Sequence, residues 1–467
     1  MQGSAKLMEA HKFHPSALRE YDIRGIVDDT LTETDAYALG RAYAVMLREA
    51  GGGGDVAIGF DGRESSPELA EALAAGLVSS GLHVFRVGLC STPTLYFAVH
   101  ELGVNGGIMV TGSHNPSEYN GFKLLIGKCA IYGRDIQRLG EIAAGGHFVN
   151  GRGRCEDVDI VERHIDRIVA DNPVARAMKV VWDPGHGASA AILPALAARL
   201  PGEHILINCE VDSGFPAHHP DPTLPENLAD LQNEVRARRA DFGVAFDGDG
   251  DRIGVVDGDG EIVWADQLLV LLAVDLLKRR PGATIVADVK ASQVLFDAIV
   301  EAGGVPLMWR TGHSLIKAKI AETGALLAGE MSGHIFFNDG YYGFDDALYA
   351  AVRSLSILSN MSQSLSDFRK ALPKVYNTPE IRIACSEERK FAVVRGVARR
   401  LEATRSEVAA VDGVRVQLGD GWWLLRASNT EDALVARCEA QSEVGLQLQL
   451  QALTTQLRRS GIEARLV

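Results

Sequence analysis

The sequence has no cysteines in a CxxC spacing, no apolar run near the roughly 20 residues that span a bilayer, and no excess of positive charge. Each shortage removes a class of function. Six scattered cysteines (Cys90, Cys129, Cys155, Cys209, Cys385 and Cys438) make neither a zinc site nor a disulfide framework, and read as reduced thiols of a cytoplasmic protein. Met1 to Ala10 carries no charged-then-apolar leader, so no membrane partner is expected. A net charge of -14 argues against nucleic acid or an anionic membrane surface, both of which attract a basic field. A small anion can still bind where cations cluster locally.

What is present is length and an internal echo. The 467 residues are enough for about three ordinary domains, each with its own core. An apolar strand ending in Asp, then a helical run, then a second strand appears as VAIGFD with SPELAEALAAGLVSSG and HVFRVG. The phrase returns as KVVWD with HILINCEV, and as TIVAD with VPLMW, so that Asp61, Asp183 and Asp288 close equivalent strands at the spacing of whole domains. Asp61 and Asp183 are read there as turn formers. From about Tyr376 the pattern changes to short strands (EIRIAC, GVRVQL, WWLLRAS, ALVARCEA) and a terminal helix. The expectation is an α/β chain: three tandem α/β domains with mixed, mainly parallel sheets over 1–158, 159–261 and 262–374, plus an α+β domain over 375–467, around a central cleft. In such sheets ligands bind beyond the carboxyl ends of strands, so the loops there are the places to look.

Four loops carry chemistry. VTGSHNP places Ser113 and His114 on a turn after the strand GGIMV; Gly, Ser, Asn and Pro all favour turns, and the G-x-S-x-G elbow of hydrolases is absent from this loop. FDGDGDRI sets Asp247, Asp249 and Asp251 at alternate positions, hence on one side of an extended segment. Carboxylates in contact repel by about 1 to 4 kcal/mol per pair, so the loop wants a cation. A calcium EF-hand needs Gly at its sixth position and Glu at its twelfth, where this chain has Arg252 and Gly258, whereas a few carboxylates completed by water or phosphate oxygen suit Mg²⁺. The following DGDG, Asp257 to Gly260, reads as a hairpin turn. AGEMSGH brackets Glu330 and Ser332 between glycines and ends on His334, which suits a loop close to a ligand. LRASNTE offers Arg426, Ser428, Asn429 and Thr430 between two strands, a guanidinium beside hydroxyl and amide donors suited to phosphate, or else a polar hairpin.

Taken in order, TGSHNP, DGDGDR, GEMSGH and RASNTE, with YDIRG at Tyr21 to Gly25, DVK at Asp288 to Lys290 and GHS at Gly312 to Ser314, resemble the α-D-phosphohexomutase family over nearly the whole chain. Asp432 stands where similar proteins continue with proline. The resemblance implies reversible interconversion of hexose 1-phosphate and hexose 6-phosphate, of glucose and mannose, through a phosphoserine and a 1,6-bisphosphate. It makes Ser113 the phosphoryl carrier, gives Mg²⁺ to Asp247, Asp249 and Asp251 with a phosphoserine oxygen, and puts Arg252 at the transferring group. Lys123 is its preferred general base, with His114 assisting. Tyr21, Arg24, Lys290, His313, Glu330, Ser332, His334, Arg426, Ser428, Asn429 and Thr430 become substrate contacts, Glu330 and Ser332 reading the sugar hydroxyls. Strand capping by Tyr21 and Arg24, and plain solvation of Lys290 and His313, are the plainer alternatives. The further expectations are glucose 1,6-bisphosphate as activator, phosphosugars as the only partners, and a monomer or weak dimer. Phosphoglucosamine mutase is the runner-up; a metal- or sugar-binding module would have no need of Ser113, and a serine hydrolase would leave the Asp loop unexplained.

Overall fold

The computed structural model describes residues 10–466 apart from 404, 430 and 465. Four sheets follow one another along the chain. The first runs, edge to edge, Ile23–Ile26, Tyr119–Ile126, Gly106–Val110, Asp55–Phe60, His83–Leu89 and Arg154–Asp157, with Cys129–Ala130 added to Tyr119–Ile126. Asp55–Phe60 pairs in parallel with both its neighbours, and the sheet turns antiparallel at Gly106–Val110 with Tyr119–Ile126. The second has the order Ile262–Val263, Ile253–Asp257, Phe242–Phe246, Met178–Asp183, Gly202–Leu206, parallel on one side of Phe242–Phe246 and antiparallel on the other. The third places Thr284–Asp288 between Val305–Trp309 and Leu327–Gly329, both parallel to it, with Ile335–Phe337 antiparallel at the edge. The expected α/β architecture is therefore present, parallel in the sheet centres and antiparallel at particular edges. Those antiparallel edges matter, because the hairpin turns there carry the Ser113 and Asp247 loops.

The fourth sheet is antiparallel throughout, built on Ala433–Ala440, Gly421–Ala427 and Val414–Leu418, and is covered by the helices Glu387–Ala403 and Glu443–Arg459. The last helix starts where its sequence says it should: Ser442 caps it by accepting from Gly445 N at 3.0 Å. Asp257 to Gly260 does form the turn between two antiparallel strands.

Burial divides the molecule unevenly. One apolar cluster runs through the first three sheets, from Leu95 and Phe97 through Trp182 and Phe246 to Leu269 and Leu348, and the first domain has a second core around Leu39, Leu73 and Val110. The fourth domain has its own core around Val397, Trp423, Leu425 and Leu453. Among the described residues, a small seam of Val289, Trp422 and Leu424, with Met308 against it, joins that domain to the third by apolar contact.

Candidate active site

Strand Gly106–Val110 ends the first sheet's buried centre, and the chain then turns through Ser113 with φ of 51°, a left-handed conformation that a non-glycine residue adopts at a cost of about 1–3 kcal/mol. What holds it there is Arg63. This side chain, 2 % exposed, donates to the carbonyls of Ser113 (2.8 Å), Asn115 (2.6 Å), Pro116 (2.5 Å) and Tyr119 (2.9 Å), while its Nε faces Asp61 at 3.2 Å. Asp61 in turn accepts from the Thr111 hydroxyl at 2.7 Å and from Gly112 N at 3.1 Å. The turn-former role read for Asp61 is thus too small: it is one half of the clamp on the serine loop. Neither residue was singled out for this from sequence, although a strand-terminal Asp followed two residues later by Arg is a visible signal.

Ser113 Oγ donates to Asp247 Oδ2 at 3.2 Å and lies 3.2 Å from His114 Nδ1. The approach of the two loops is tight enough to require glycine, since a Cβ on Gly248 would sit 2.4 Å from the Ser113 carbonyl. Asp247, Asp249 and Asp251 are fully buried and present oxygens within 4.8 Å of one another. Asp249 Oδ1 has no hydrogen-bond partner among the described residues, and Asp251 Oδ1 faces only the His334 ring, at 3.3 Å. Three converging buried carboxylates, one with an orphaned oxygen, fit a hard divalent cation. Burial and the two neighbouring carboxylates push the Asp247 pKa well above its ordinary value. Burial would do the same to Asp251, but Lys123 and His334 hold it well below.

Lys123, from strand Tyr119–Ile126, reaches across to donate to Asp249 at 2.6 Å and also to Asp251. Burial disfavours its charge, yet those carboxylates hold its pKa well above the ordinary range. His114 is held well below its ordinary value by burial and then by Arg252, Arg24 and Lys123. Thr92, unflagged in the sequence, donates from its hydroxyl to Asp249 Oδ2 at 2.5 Å and so fixes that carboxylate.

The Glu330 loop is stitched to the Asp247 loop through backbone. Ile253 N donates to Gly333 O at 3.0 Å, and Arg252 forms a bridge with His334. Arg252 Nε lies 3.4 Å from His334 Nε2 and 3.9 Å from Asp247 Oδ2. His334 also meets Asp251 at 3.3 Å, Glu330 at 3.1 Å and the Ser332 hydroxyl at 2.9 Å. Burial alone would lower His334, but Asp251 and Glu330 raise it to about 9. His313 stands 5.3 Å from the His334 ring and 6.2 Å from that of Tyr21.

Around the rim, Arg24 donates to Asn115 of the serine loop and to Asp22 at 2.5 Å. Tyr21 Oη donates to Thr311 O at 3.0 Å and accepts from Asn429 Nδ2, so the first and fourth domains touch there. Lys290 pairs with Glu380 at 3.0 Å, and Arg426 with Asp412 at 2.9 Å. Arg426 lies near enough to both Tyr21 and Lys290 for its charge to act on each. Ser428 accepts from Glu431 N at 3.1 Å in the same loop. Thr430 lies outside the described residues. Asp412 and Glu380, the carboxylates that hold the two rim cations, carried no sequence signal, because their partners are far away along the chain.

The sequence-expected residues therefore fall into one connected set: Ser113, His114, Lys123, the three Asp residues, Arg252, Glu330, Ser332, His313 and His334 at the centre, with Tyr21, Arg24, Lys290, Arg426, Ser428 and Asn429 at the rim. Comparison with known proteins agrees in every segment. The chain matches the four phosphoglucomutase/phosphomannomutase domains in order: the alpha/beta/alpha domain I over residues 16–145, domain II over 162–260, domain III over 264–376 and the C-terminal domain over 380–455. It is 47% identical over 451 residues to a phosphomannomutase/phosphoglucomutase of Pseudomonas putida, covering 97% of both chains. It is 44% identical to a phosphoglucomutase of Neisseria gonorrhoeae, covering 92% of this chain and 94% of that one. Among solved structures, a phosphoglucomutase/phosphomannomutase family protein from Burkholderia thailandensis superposes with a TM-score of 0.92 at 41% identity, over 97% of this chain and 99% of that one.

Proposed function

The chain belongs to the phosphoglucomutase/phosphomannomutase family, and from that premise we propose that it is an isomerase that moves a phosphoryl group between O1 and O6 of a hexose. The observation that carries this reading is Ser113 Oγ held against Asp247 in a buried, three-carboxylate site. In the active state Ser113 carries a phosphoryl group. The P–O bond to Ser113 breaks, a P–O bond to the free sugar hydroxyl forms, and the hydroxyl proton passes to a base. The resulting 1,6-bisphosphate reorients and returns its other phosphoryl group to Ser113, which leaves the isomeric monophosphate. His114, held neutral and with Nδ1 3.2 Å from Ser113 Oγ, is the group free to take that proton, whereas Lys123, the base preferred from the sequence, is held charged by Asp249 and Asp251.

Asp247, Asp249 and Asp251 would hold Mg²⁺ with a phosphoserine oxygen, and the ion supplies charge neutralisation for the transferring phosphoryl group. Arg252 adds a second positive charge beside Asp247. Arg24, Lys290 and Arg426, with Ser428, Asn429 and Thr430, form the distal grip on whichever phosphate is not reacting, and Tyr21 and His313 line the way between. Glu330 and Ser332 read the O3 and O4 hydroxyls, which glucose and mannose share, and His334 braces them; Met331 offers nothing to a 2-amino group. Glucose and mannose are therefore both substrates, and glucosamine 1-phosphate is used less well. Glucose 1,6-bisphosphate acts as activator.

No helix among the described residues is long and apolar enough to cross a membrane, and all six cysteines are free, which supports a cytoplasmic setting. The four sheets support domains over 1–158, 159–261, 262–374 and 375–467. Incubation with glucose 1-phosphate and Mg²⁺ is expected to yield glucose 6-phosphate, chelator is expected to stop it, and restored Mg²⁺ to revive it. Full activity in excess chelator refutes the metal assignment, and no product refutes the reaction.

A further inference from the structure

The proposed reaction leaves Asp412 unused, yet its carboxylate sits at the meeting point of three domains. Its Oδ2 accepts from Arg426 Nε at 2.9 Å and from Thr311 N at 3.1 Å, joining the phosphate-gripping side chain of the fourth domain to a loop of the third. Thr311 spends its other polar groups on further joints. Its carbonyl accepts from Tyr21 of the first domain at 3.0 Å, and its hydroxyl donates to Asp288 Oδ2 at 3.1 Å. The next amide, Gly312 N, donates to Glu330 Oε1 at 2.5 Å, so one peptide step connects Asp412 to the sugar-reading carboxylate. Gly312, with φ of 135°, has no room for a side chain, since a Cβ would lie 2.7 Å from the Tyr21 ring.

We propose that Asp412 is a positioning residue that couples the phosphate grip at Arg426 to the sugar grip at Glu330, so that the two engage a substrate together. The inference rests on the roles assigned above to those two residues. A guanidinium presents two useful edges, and a carboxylate fixed on Nε leaves the paired terminal nitrogens as a fork for an oxyanion. The side chains of Arg426 and Asp412 are 7 % and 11 % exposed, so solvent screens their contact little. The backbone under them is equally constrained: a Cβ on Gly413, φ 77°, would lie 2.7 Å from Arg426 Cα. Asp412 thus cannot shift without moving Arg426, and through Thr311 and Gly312 it pulls on Glu330.

Asp412→Asn, which keeps the shape and removes the charge, is the direct test, with Asp412→Ser as the second variant should the first fold poorly. Loss of one charge-assisted hydrogen bond is expected to raise KM for glucose 1-phosphate about tenfold while kcat stays within about twofold. The dissociation constant for inorganic phosphate, read by calorimetry, should rise by a similar factor. The coupling itself is read from a double-mutant cycle: Arg426→Lys and Glu330→Gln should be non-additive in KM with Asp412 present and additive in the Asp412→Asn background. A general loss of structure would not produce that change of additivity. An unchanged KM, a loss confined to kcat, or additivity in both backgrounds overturns the proposal. Turnover by the wild-type protein tests the assigned reaction separately, and the phosphate titration reads Arg426 whatever that outcome is.

Discussion

The floor of the cleft and its far wall are held in different ways. At the floor, the Ser113 loop is clamped by a buried Arg63 that donates to four of its backbone carbonyls, the Asp247 loop is pressed against it at Gly248, and one apolar cluster joins the first three domains. At the far wall, the fourth domain keeps its own core and meets the rest through the small Val289, Trp422 and Leu424 seam, some buried polar contacts, and the Asn429 to Tyr21 and Asp412 to Thr311 hydrogen bonds. Phosphoryl transfer rewards a centre that need not rearrange, whereas a bisphosphate that must reorient needs a wall that can yield. On the proposed reaction, rigidity is concentrated where the P–O bond would be exchanged and is released where the distal phosphate would be held.

The most damaging way to break the comparison is to remove the floor's fastener. Arg63→Met leaves Asp61 as an unpaired buried charge, a change that costs about 3–5 kcal/mol of stability, and frees the Ser113 loop. Turnover should fall by about 100-fold or more, because misplacing a nucleophile by about 1 Å suffices for that, and Tm should fall with it. A variant with wild-type kcat would show that the clamp is not needed.

Glu330→Ala tests the sugar grip that the two regions share. It orphans Gly312 N and takes one carboxylate from His334, and the expected result is a loss of about 1.5–3 kcal/mol in kcat/KM, or roughly 10–150-fold, equal for glucose and mannose 1-phosphates. Kinetics on the two sugars and on glucosamine 1-phosphate decide it; a variant that loses one epimer only contradicts the O3 and O4 assignment.

At the wall, Trp422→Ala removes an indole on which Arg415 stacks at 3.7 Å and which donates to Glu439 at 3.0 Å. Hydrogen exchange should then quicken throughout the fourth domain and leave the Ser113 and Asp247 loops as protected as before. Equal quickening in all domains would mean that the seam does not separate two regions. Phosphosugar binding is expected to act in the opposite sense, slowing exchange around Asp412 and Thr311.

The smallest effect is a pH dependence. Lys290 beside Glu380 brings that carboxyl from 4.5 down to about 2, so the pair stabilises the joint above about pH 4.5 and is lost as pH falls toward 2. The Tm difference between wild type and Glu380→Gln should therefore shrink between pH 5 and pH 3 (about the span of that shift), and a constant difference would exclude the pair as its source.

The sequence made much of the floor legible and little of the fasteners. Ser113, Asp247, Asp249 and Asp251 sit in short loops whose composition is unusual within a few residues, and alternate-position carboxylates announce a cation by repulsion alone. Arg63, Thr92, Glu380 and Asp412 were not legible in that way, because each acts on a partner brought near only by folding: Thr92 on Asp249, Glu380 on Lys290, Asp412 on Arg426 and Thr311. A lone Asp before a glycine looks like any turn until its neighbour is known.

The central claim is that Ser113 carries the phosphoryl group. Intact-protein mass spectrometry after incubation with glucose 1,6-bisphosphate and Mg²⁺ tests it most directly. The account predicts a species heavier by one phosphoryl group, mapped to Ser113, lost when glucose 6-phosphate is added in excess, and absent from a Ser113→Ala variant that no longer turns over; an unmodified serine in an enzyme that is turning over, or normal turnover by the variant, contradicts it.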